Sequence, residues 1–156
     1  MKLDPLDASI IELMTDEPGI GVLESSRRLG VARGTVQNRL NRLQEAGVVA
    51  RIALQINPGA MGYPIITYCS LEIHQEHGHE EVAPLLARIP EILEMHTVSG
   101  SSDMLVKIVA RSTVDLQRVL DAVSQTAGVD RTSSSIVLVT HFENRTLPLV
   151  RDAGRE

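Results

Sequence analysis

The apolar positions of this chain fall into two rhythms. Through the first fifty residues they return every three or four places, the repeat of an amphipathic helix. Ile10, Ile11, Leu13 and Met14 follow Asp7, which predicts a first helix capped near Asp4 or Asp7 and stopped by Pro18-Gly19. A second short helix fits Val22 to Leu29, with Gly30 as its stop. A third runs from about Arg33 to Ala46, burying Val36, Leu40 and Leu43 and ending at Gly47. Ala32 stands where a Ser or Asn cap would be natural, an absence that costs that helix about 1 kcal/mol.

Beyond Gly47 the rhythm changes. Val48 to Ile56 reads as extended, and Asn57-Pro58-Gly59 breaks the chain before Gly62, marking a domain boundary. Pro64 to His74 alternates, with Ile65, Thr67, Cys69, Leu71 and Ile73 on one face, as a half-buried strand requires. Val82, Leu85, Leu86 and Ile89 recur at helical spacing, where Pro84 must kink the helix or lie near its start. Ile92 to Val98 and Met104 to Ala110 read as strands joined through Gly100. Ser112-x-x-Asp115 then opens a helix with Leu116, Val119, Leu120 and Val123 inward, and Gly128 ends it. A last strand is predicted from Thr132 to Phe142, and a polar tail after Pro148.

The result is an α+β chain. Residues 1–50 form a three-helix domain, 51–63 a linker strand, 64–148 a ferredoxin-like β-α-β-β-α-β domain and 149–156 a polar tail. Helices can cover only one face of such a sheet. The other carries enough apolar side chains to call for a partner, so a homo-oligomer is expected.

Composition narrows the chemistry. The chain has 156 residues, 43% of them hydrophobic, which is the ordinary globular level. Aromatic residues make up only 2%, so the stacking platforms of single-strand nucleic-acid readers are nearly excluded. The single cysteine, Cys69, cannot form an internal disulfide, and its mid-strand place makes it a small core residue rather than a nucleophile. Apolar runs are too short to cross a bilayer, and no basic-then-apolar secretory segment opens the chain. A soluble, cytoplasmic protein is expected.

Net charge is −5, but it is unevenly spread. Residues 1–26 hold one lysine against six acids, whereas 27–51 hold six arginines (Arg27, Arg28, Arg33, Arg39, Arg42, Arg51) against Glu45 alone. That cationic block coincides with a helix, a tight turn at Gly30 and a second helix, the helix-turn-helix arrangement. With Val36, Leu40 and Leu43 inside, Arg33, Thr35, Gln37, Asn38, Asn41 and Arg42 remain outside. Asn and Gln match adenine edges in the major groove, Arg matches guanine, and Thr can touch a thymine methyl. Arg33, Gln37 and Asn38 are the preferred base readers. Arg27, Arg28, Arg39 and Arg42 would hold phosphates or buttress the fold.

The run Leu29-Gly30-Val31-Ala32-Arg33-Gly34-Thr35-Val36-Gln37-Asn38-Arg39-Leu40-Asn41-Arg42-Leu43, followed by Glu45-Ala46-Gly47-Val48-Val49, resembles the recognition segment of the leucine-responsive/AsnC ("feast/famine") transcriptional regulators. Leu3-Asp4-Pro5-Leu6-Asp7 and the β-α-β-β-α-β half agree with that family's layout, so the resemblance covers residues 1 to 148. It implies a winged helix-turn-helix with double-stranded DNA as partner, contacted through Arg27, Arg28, Arg33, Gly34, Thr35, Gln37, Asn38, Arg39, Asn41 and Arg42. It also implies a homodimer, often assembled into tetramers or octamers.

Ser99-Gly100-Ser101-Ser102-Asp103 lies between two strands and by itself reads as a hairpin turn. In the resembled family a Gly-x-x-Asp loop borders the small-molecule site, which makes Gly100, Ser101, Ser102 and Asp103 effector candidates. Asp103 could attract an α-ammonium while loop amides and hydroxyls take a carboxylate, so an amino acid is the expected effector. Ser133, Ser134 and Ser135 are either further hydroxyl donors or strand filling. Many relatives carry an aromatic residue immediately before the Asp, where Ser102 stands here.

Enzymatic chemistry has little foothold. No Walker loop, Gly-x-Ser-x-Gly or His-Glu-x-x-His is present. His74, His77 and His79, with Glu76 and Glu80, could ligate a divalent metal in principle, but loop histidines are ordinarily solvated, and no metal or cofactor is expected. The alternative weighed is a sirohaem-type tetrapyrrole decarboxylase of the same two-domain layout, which would call on His96 and His141.

Overall fold

The computed structural model describes residues 1–50, 52, 54–74 and 78–155, which group into two units. The first comprises Met1–Leu54 with His141–Glu156, the second Gln55–Thr140.

The N-terminal unit is built from α1 (Pro5–Asp16), α2 (Val22–Leu29) and α3 (Arg33–Glu45). Asp4 caps α1 by accepting from the N–H groups of Leu6 and Asp7, both at 2.9 Å, while the Asp7 carboxylate accepts from the Asp4 N–H. Both candidate caps thus act together in one reciprocal box. Ile10, Val36 and Leu40 form the core, enclosed by Leu6, Met14, Val22, Leu29 and Val31. Gly30 adopts φ 66°, the left-handed turn that ends α2 and lets the Val31 N–H reach the Ser26 carbonyl at 3.0 Å.

The expected linker strand is absent: described residues from 46 to 58 belong to no strand or helix. An extended segment needs a ladder partner, and no strand pair among the described residues includes this one. Arg51 lies outside the described residues.

The C-terminal unit begins with a 3-10 turn at Gly59–Met61, then runs β1 (Ile65–Ile73), α4 (Gly78–Leu86), β2 (Ile92–Thr97), β3 (Met104–Ala110), α5 (Thr113–Ser124) and β4 (Val129–Ile136). The antiparallel sheet has the order β2-β3-β1-β4, the ferredoxin-like arrangement. Cys69, Leu71, Val106 and Ile108 pack on Val82, Leu86, Leu116, Val119 and Val123 of the two helices. Burial raises the Cys69 thiol pKa, in keeping with a core role. Pro84 falls inside α4, where its missing N–H interrupts an already short helix. Ser112 caps α5 on the Asp115 N–H at 3.1 Å.

The opposite sheet face is mixed. It carries Ile66, Tyr68, Leu105 and Val109 beside Ser70, Glu72, Glu94, His96 and Lys107, as the registers of the strand pairs require.

Two expectations are corrected at the C-terminal end. The last strand is Val129–Ile136 rather than Thr132 to Phe142. It starts early because β1 reaches Ile73, and it stops near the beginning of β1, where the Val137 N–H donates to the Ile66 carbonyl and only Ile65 of that strand remains. Those two residues and Phe142 are exposed. Where a polar tail was expected, α6 (Leu147–Ala153) forms and packs on α1. Its anchors are an Arg151–Glu12 ion pair and the close approach of Gly154 to Ala8.

Candidate nucleic-acid interface

With Val36, Leu40 and Leu43 turned inward, α3 presents Arg33, Gly34, Gln37, Asn38, Asn41 and Arg42 as exposed positions and Thr35 and Arg39 as half-buried ones. Gln37 Nε2 donates to Asn41 Oδ1 at 2.9 Å, one helical turn apart. That bond aligns two amides along the outer face and leaves the Gln37 oxygen and the Asn41 NH2 outward for base edges. Ala32 makes no side-chain cap, so the first amides of α3 are left for solvent or a phosphate.

The fold redistributes the charge that the sequence concentrates. Arg28 pairs with Glu17 and Glu24, and Arg27 lies 3.6 Å from Glu24. Arg39 pairs with Asp4 and Asp7, and Arg42 with Asp7 at 2.6 Å. The acidic segment of residues 1–26 therefore neutralises much of the basic block behind it. Of the described arginines in that block, Arg33 alone makes no ion pair, and it stands at the first turn of α3.

Of the two roles open to Arg39, the geometry favours buttressing. Its side chain is only 25% exposed, and Nη1 bonds both aspartates. The Arg39 guanidinium holds the Asp4 carboxyl below its ordinary range, and Asp4 in turn raises Arg39. Arg42 is half exposed, with Nη2 engaged. Their sequence positions mark Asp4 and Asp7 only as helix caps. Six acids immediately before six arginines were the available signal for their second role.

In the C-terminal unit, Gly100 turns the β2–β3 connection at φ 122°. Asp103 closes that turn: its carbonyl accepts from the Val98 N–H at 3.0 Å, and its own N–H reaches the Leu71 carbonyl at 2.9 Å. Its carboxylate Oδ2 accepts from the Ile73 N–H at 2.8 Å, so one oxygen already holds the loop to β1. Ser101 is exposed and Ser102 half-buried beside it. Ser133, Ser134 and Ser135 lie on the edge strand β4, opposite Ser70, Cys69 and Tyr68. Ser133 and Ser135 share the face away from the helices, and Ser134 lies on the helix-covered side.

Of the histidine cluster, His77 and Glu76 lie outside the described residues. Among the described residues no group of three or more His, Cys, Asp or Glu could hold a metal ion. The strand placement expected for His141 is corrected: it follows the end of β4, is exposed and belongs to the N-terminal unit, whereas His96 lies on β2 of the other. No described helix is long and apolar enough to cross a membrane.

A helix-turn-helix unit with an outward row of amides, joined to a separate ferredoxin-like unit, defines the class of two-domain helix-turn-helix regulators. Residues 3–50 match a winged helix-turn-helix DNA-binding domain and residues 68–147 the Lrp/AsnC ligand binding domain. The chain belongs to the Lrp/AsnC family. It is 35% identical to the HTH-type transcriptional regulator FL11 of Pyrococcus furiosus, over 94% of this chain and 97% of the relative. Among solved structures it shares the fold of E. coli AsnC, with a TM-score of 0.85 at 20% identity over 95% of this chain and 100% of that one. A feast or famine regulatory protein of M. tuberculosis (Rv3291c), solved as a complex with L-methionine, aligns with a TM-score of 0.77 at 25% identity, over 88% of this chain and 92% of that one.

Proposed function

We propose that the chain regulates transcription by binding double-stranded DNA with the outer face of α3, as a homo-oligomer whose C-terminal unit takes an amino acid. The observation that carries the reading is the exposed row of Gln37, Asn38 and Asn41 with the unpaired Arg33 at its N-terminal end. Arg33, Gln37 and Asn38 read bases, with Thr35 beside them for a thymine methyl. Arg27 and the free edge of Arg42 meet phosphates, with the amides of Gly34 and its neighbours.

Effector binding is placed at the Gly100–Asp103 loop. The L-methionine bound by the M. tuberculosis relative supports an amino acid as the class of effector. Asp103 keeps Oδ1 without a partner among the described residues while Oδ2 fixes the loop, so an α-ammonium finds an oriented carboxylate. The exposed Leu138 and Val139 and the mixed sheet face support association of copies into dimers, and of dimers into tetramers or octamers. Ligand and DNA would be coupled by linkage: an effector shifts DNA affinity only as far as it prefers one arrangement of subunits.

The test is selection of preferred duplexes from a random pool at fixed salt, followed by binding of the Gln37→Ala variant. The variant is expected to lose discrimination at one A·T position by about 1 to 3 kcal/mol while keeping its non-specific affinity. Retention of the full sequence preference overturns the assignment of this face.

A further inference from the structure

The chain passes between its two units twice. It leaves the N-terminal unit after α3 and returns to it between Thr140 and His141. The outward passage starts from a fixed point, since the N–H groups of Val48 and Val49 both reach the Leu43 carbonyl, at 2.9 and 3.1 Å. The return passage is short. At one end the Val137 N–H is held by the Ile66 carbonyl of β1 at 2.9 Å. At the other the chain is folded again from Phe142, where the Arg145 guanidinium lies 5.4 Å from the ring centroid. Asn144 turns the backbone there at φ 49°, and the Thr146 N–H closes on its carbonyl at 2.9 Å. Only residues 138–141 lie between these fixed ends, and a segment of that length reaches about 14 Å at full extension.

α6 ends this passage in a seat that the N-terminal unit does not need for its own core. Ile10, Val36 and Leu40 are enclosed by Leu6, Met14, Val22, Leu29 and Val31, none of them from α6. The helix covers a different part of α1. Ala8 is buried there, and Gly154 is buried against it at a separation that leaves no room for a Cβ. Arg151 pairs with Glu12, one helical turn further along α1. Chain ends are ordered only where something ties them down, because ordering costs conformational entropy. What the seat adds is a second point of attachment, not a larger core.

A second attachment changes how a body can move. Units joined by one linker ordinarily shift freely against each other. A body tied at one point turns about every axis, whereas one tied at two separated points keeps only rotation about the line between them.

We infer that α6 anchors the return passage, that this anchor restricts rotation of the N-terminal unit, and that residues 138–147 thereby help to select the spacing of the DNA half-sites that two copies contact together. The spacing part rests on the reading of α3 as the DNA-contacting face of a homo-oligomer. Two restrained copies of α3 meet a duplex together only at a matching spacing, near one helical turn or a multiple of it, while released copies reach several.

The experiment compares the full chain with two variants. A Gly-Ser-Gly-Ser-Gly-Ser insertion between Thr140 and His141 lengthens the return passage and leaves α6, its seat and the exposed Leu138 and Val139 in place. Gly154→Ala instead drives α6 off α1 at unchanged length. Amide NMR relaxation reads the motion without DNA. In both variants α1 to α3 should tumble faster relative to β1 to β4, which serve as the internal reference. Duplexes carrying two copies of the half-site selected from the random pool read the consequence. Shifting their spacing by half a turn, about 5 base pairs, should weaken binding of the unaltered chain at least about tenfold and of the insertion variant less than about threefold. Affinity for a single half-site should not change. Unchanged relative tumbling of α1 to α3 in the insertion variant overturns the anchor, whatever the duplexes show. Faster tumbling with the tenfold spacing preference intact overturns the role in spacing. Absence of any duplex preference in the unaltered chain sinks the DNA reading of α3 instead, and the relaxation comparison still decides the anchor.

Discussion

One guanidinium nitrogen of Arg42 on α3, Nη2, lies 2.8 Å from Oδ1 and 2.6 Å from Oδ2 of Asp7 on α1. Arg39 adds its Nη1 to Oδ1 at 2.8 Å, and the Asp4 N–H reaches Oδ2 at 3.2 Å. A fully buried carboxylate thereby accepts four hydrogen bonds from three nitrogens, and the start of α1 is tied to the helix that carries the outward amides. Asp7→Asn keeps the shape and removes the charge. Arg42, 51% exposed, can turn to water, which holds the loss below that of a wholly buried pair. A fall of about 2 kcal/mol in the stability of the N-terminal unit is expected from urea melts followed by circular dichroism. DNA binding should fail at the lower midpoint and survive well below it.

The arginines of the basic block separate by experiment. Arg27 is 69% exposed with one loose carboxylate contact, while Arg39 is held by two aspartates. Arg27→Ala should weaken binding to all duplexes alike and reduce the slope of log K against log salt by about 0.9. Arg39→Ala should leave that slope unchanged and lower the melting temperature. Filter binding at several salt concentrations beside thermal melts reads both.

Why some features were legible in the sequence follows from the range of the forces involved. Asp4, Gly30, Ser112 and the alternation through Cys69 act on neighbours within a few residues, so spacing alone announced α1 to α3, β1, β3 and α5. The limits of β4 depend on where β1 offers backbone, a register that no local pattern in residues 129–142 encodes. The helix at Leu147–Ala153 was missed because its support comes from Ala8 and Glu12, more than 130 positions away in the chain. At the candidate site the outward residues of α3 were readable from the helical period. That Arg39 and Arg42 meet Asp7 was not, because the pairing depends on how α1 crosses α3.

Asp103 holds the Ile73 N–H with Oδ2, and Oδ1 is the oxygen proposed to meet an effector's ammonium. Asp103→Ala removes the acceptor of the Ile73 N–H and should destabilise the β2–β3 turn by about 1 kcal/mol. Asp103→Asn can still accept that bond through its amide oxygen but offers no charge to an ammonium. Loss of any amino-acid-induced shift in melting temperature, with stability nearly kept, is therefore expected of Asp103→Asn. An unchanged response to all twenty amino acids would remove this carboxylate from effector recognition.

Acid should loosen the N-terminal unit through Asp4. The hydrogen bond from Arg39 holds its carboxyl below the ordinary value of 3.8, so the folded form binds its proton less readily than the unfolded chain. Stability from this group is present above that ordinary value and is lost as pH falls through the lower folded value. Melts between pH 6 and 3 should show the N-terminal helices weakening at the acid end, with a shallower decline in Asp4→Asn.

Gly154 tests whether the C-terminal helix belongs to the N-terminal unit. Its φ of −83° is ordinary, so the backbone would accept alanine, but an added Cβ would stand 2.6 Å from the Cβ of Ala8. Contact that close must push α6 away from α1, at about 1 to 3 kcal/mol for overpacking. In Gly154→Ala the amides of α6 should exchange with deuterium at least about tenfold faster, the rate change that 1.4 kcal/mol corresponds to. Ala8→Gly placed in the same chain should restore the space and most of the protection, while weakening α1 itself by about 1 kcal/mol. Recovery in the double variant would trace the effect to this one pair of atoms. Unchanged exchange in Gly154→Ala would mean that α6 is not seated on α1 in solution.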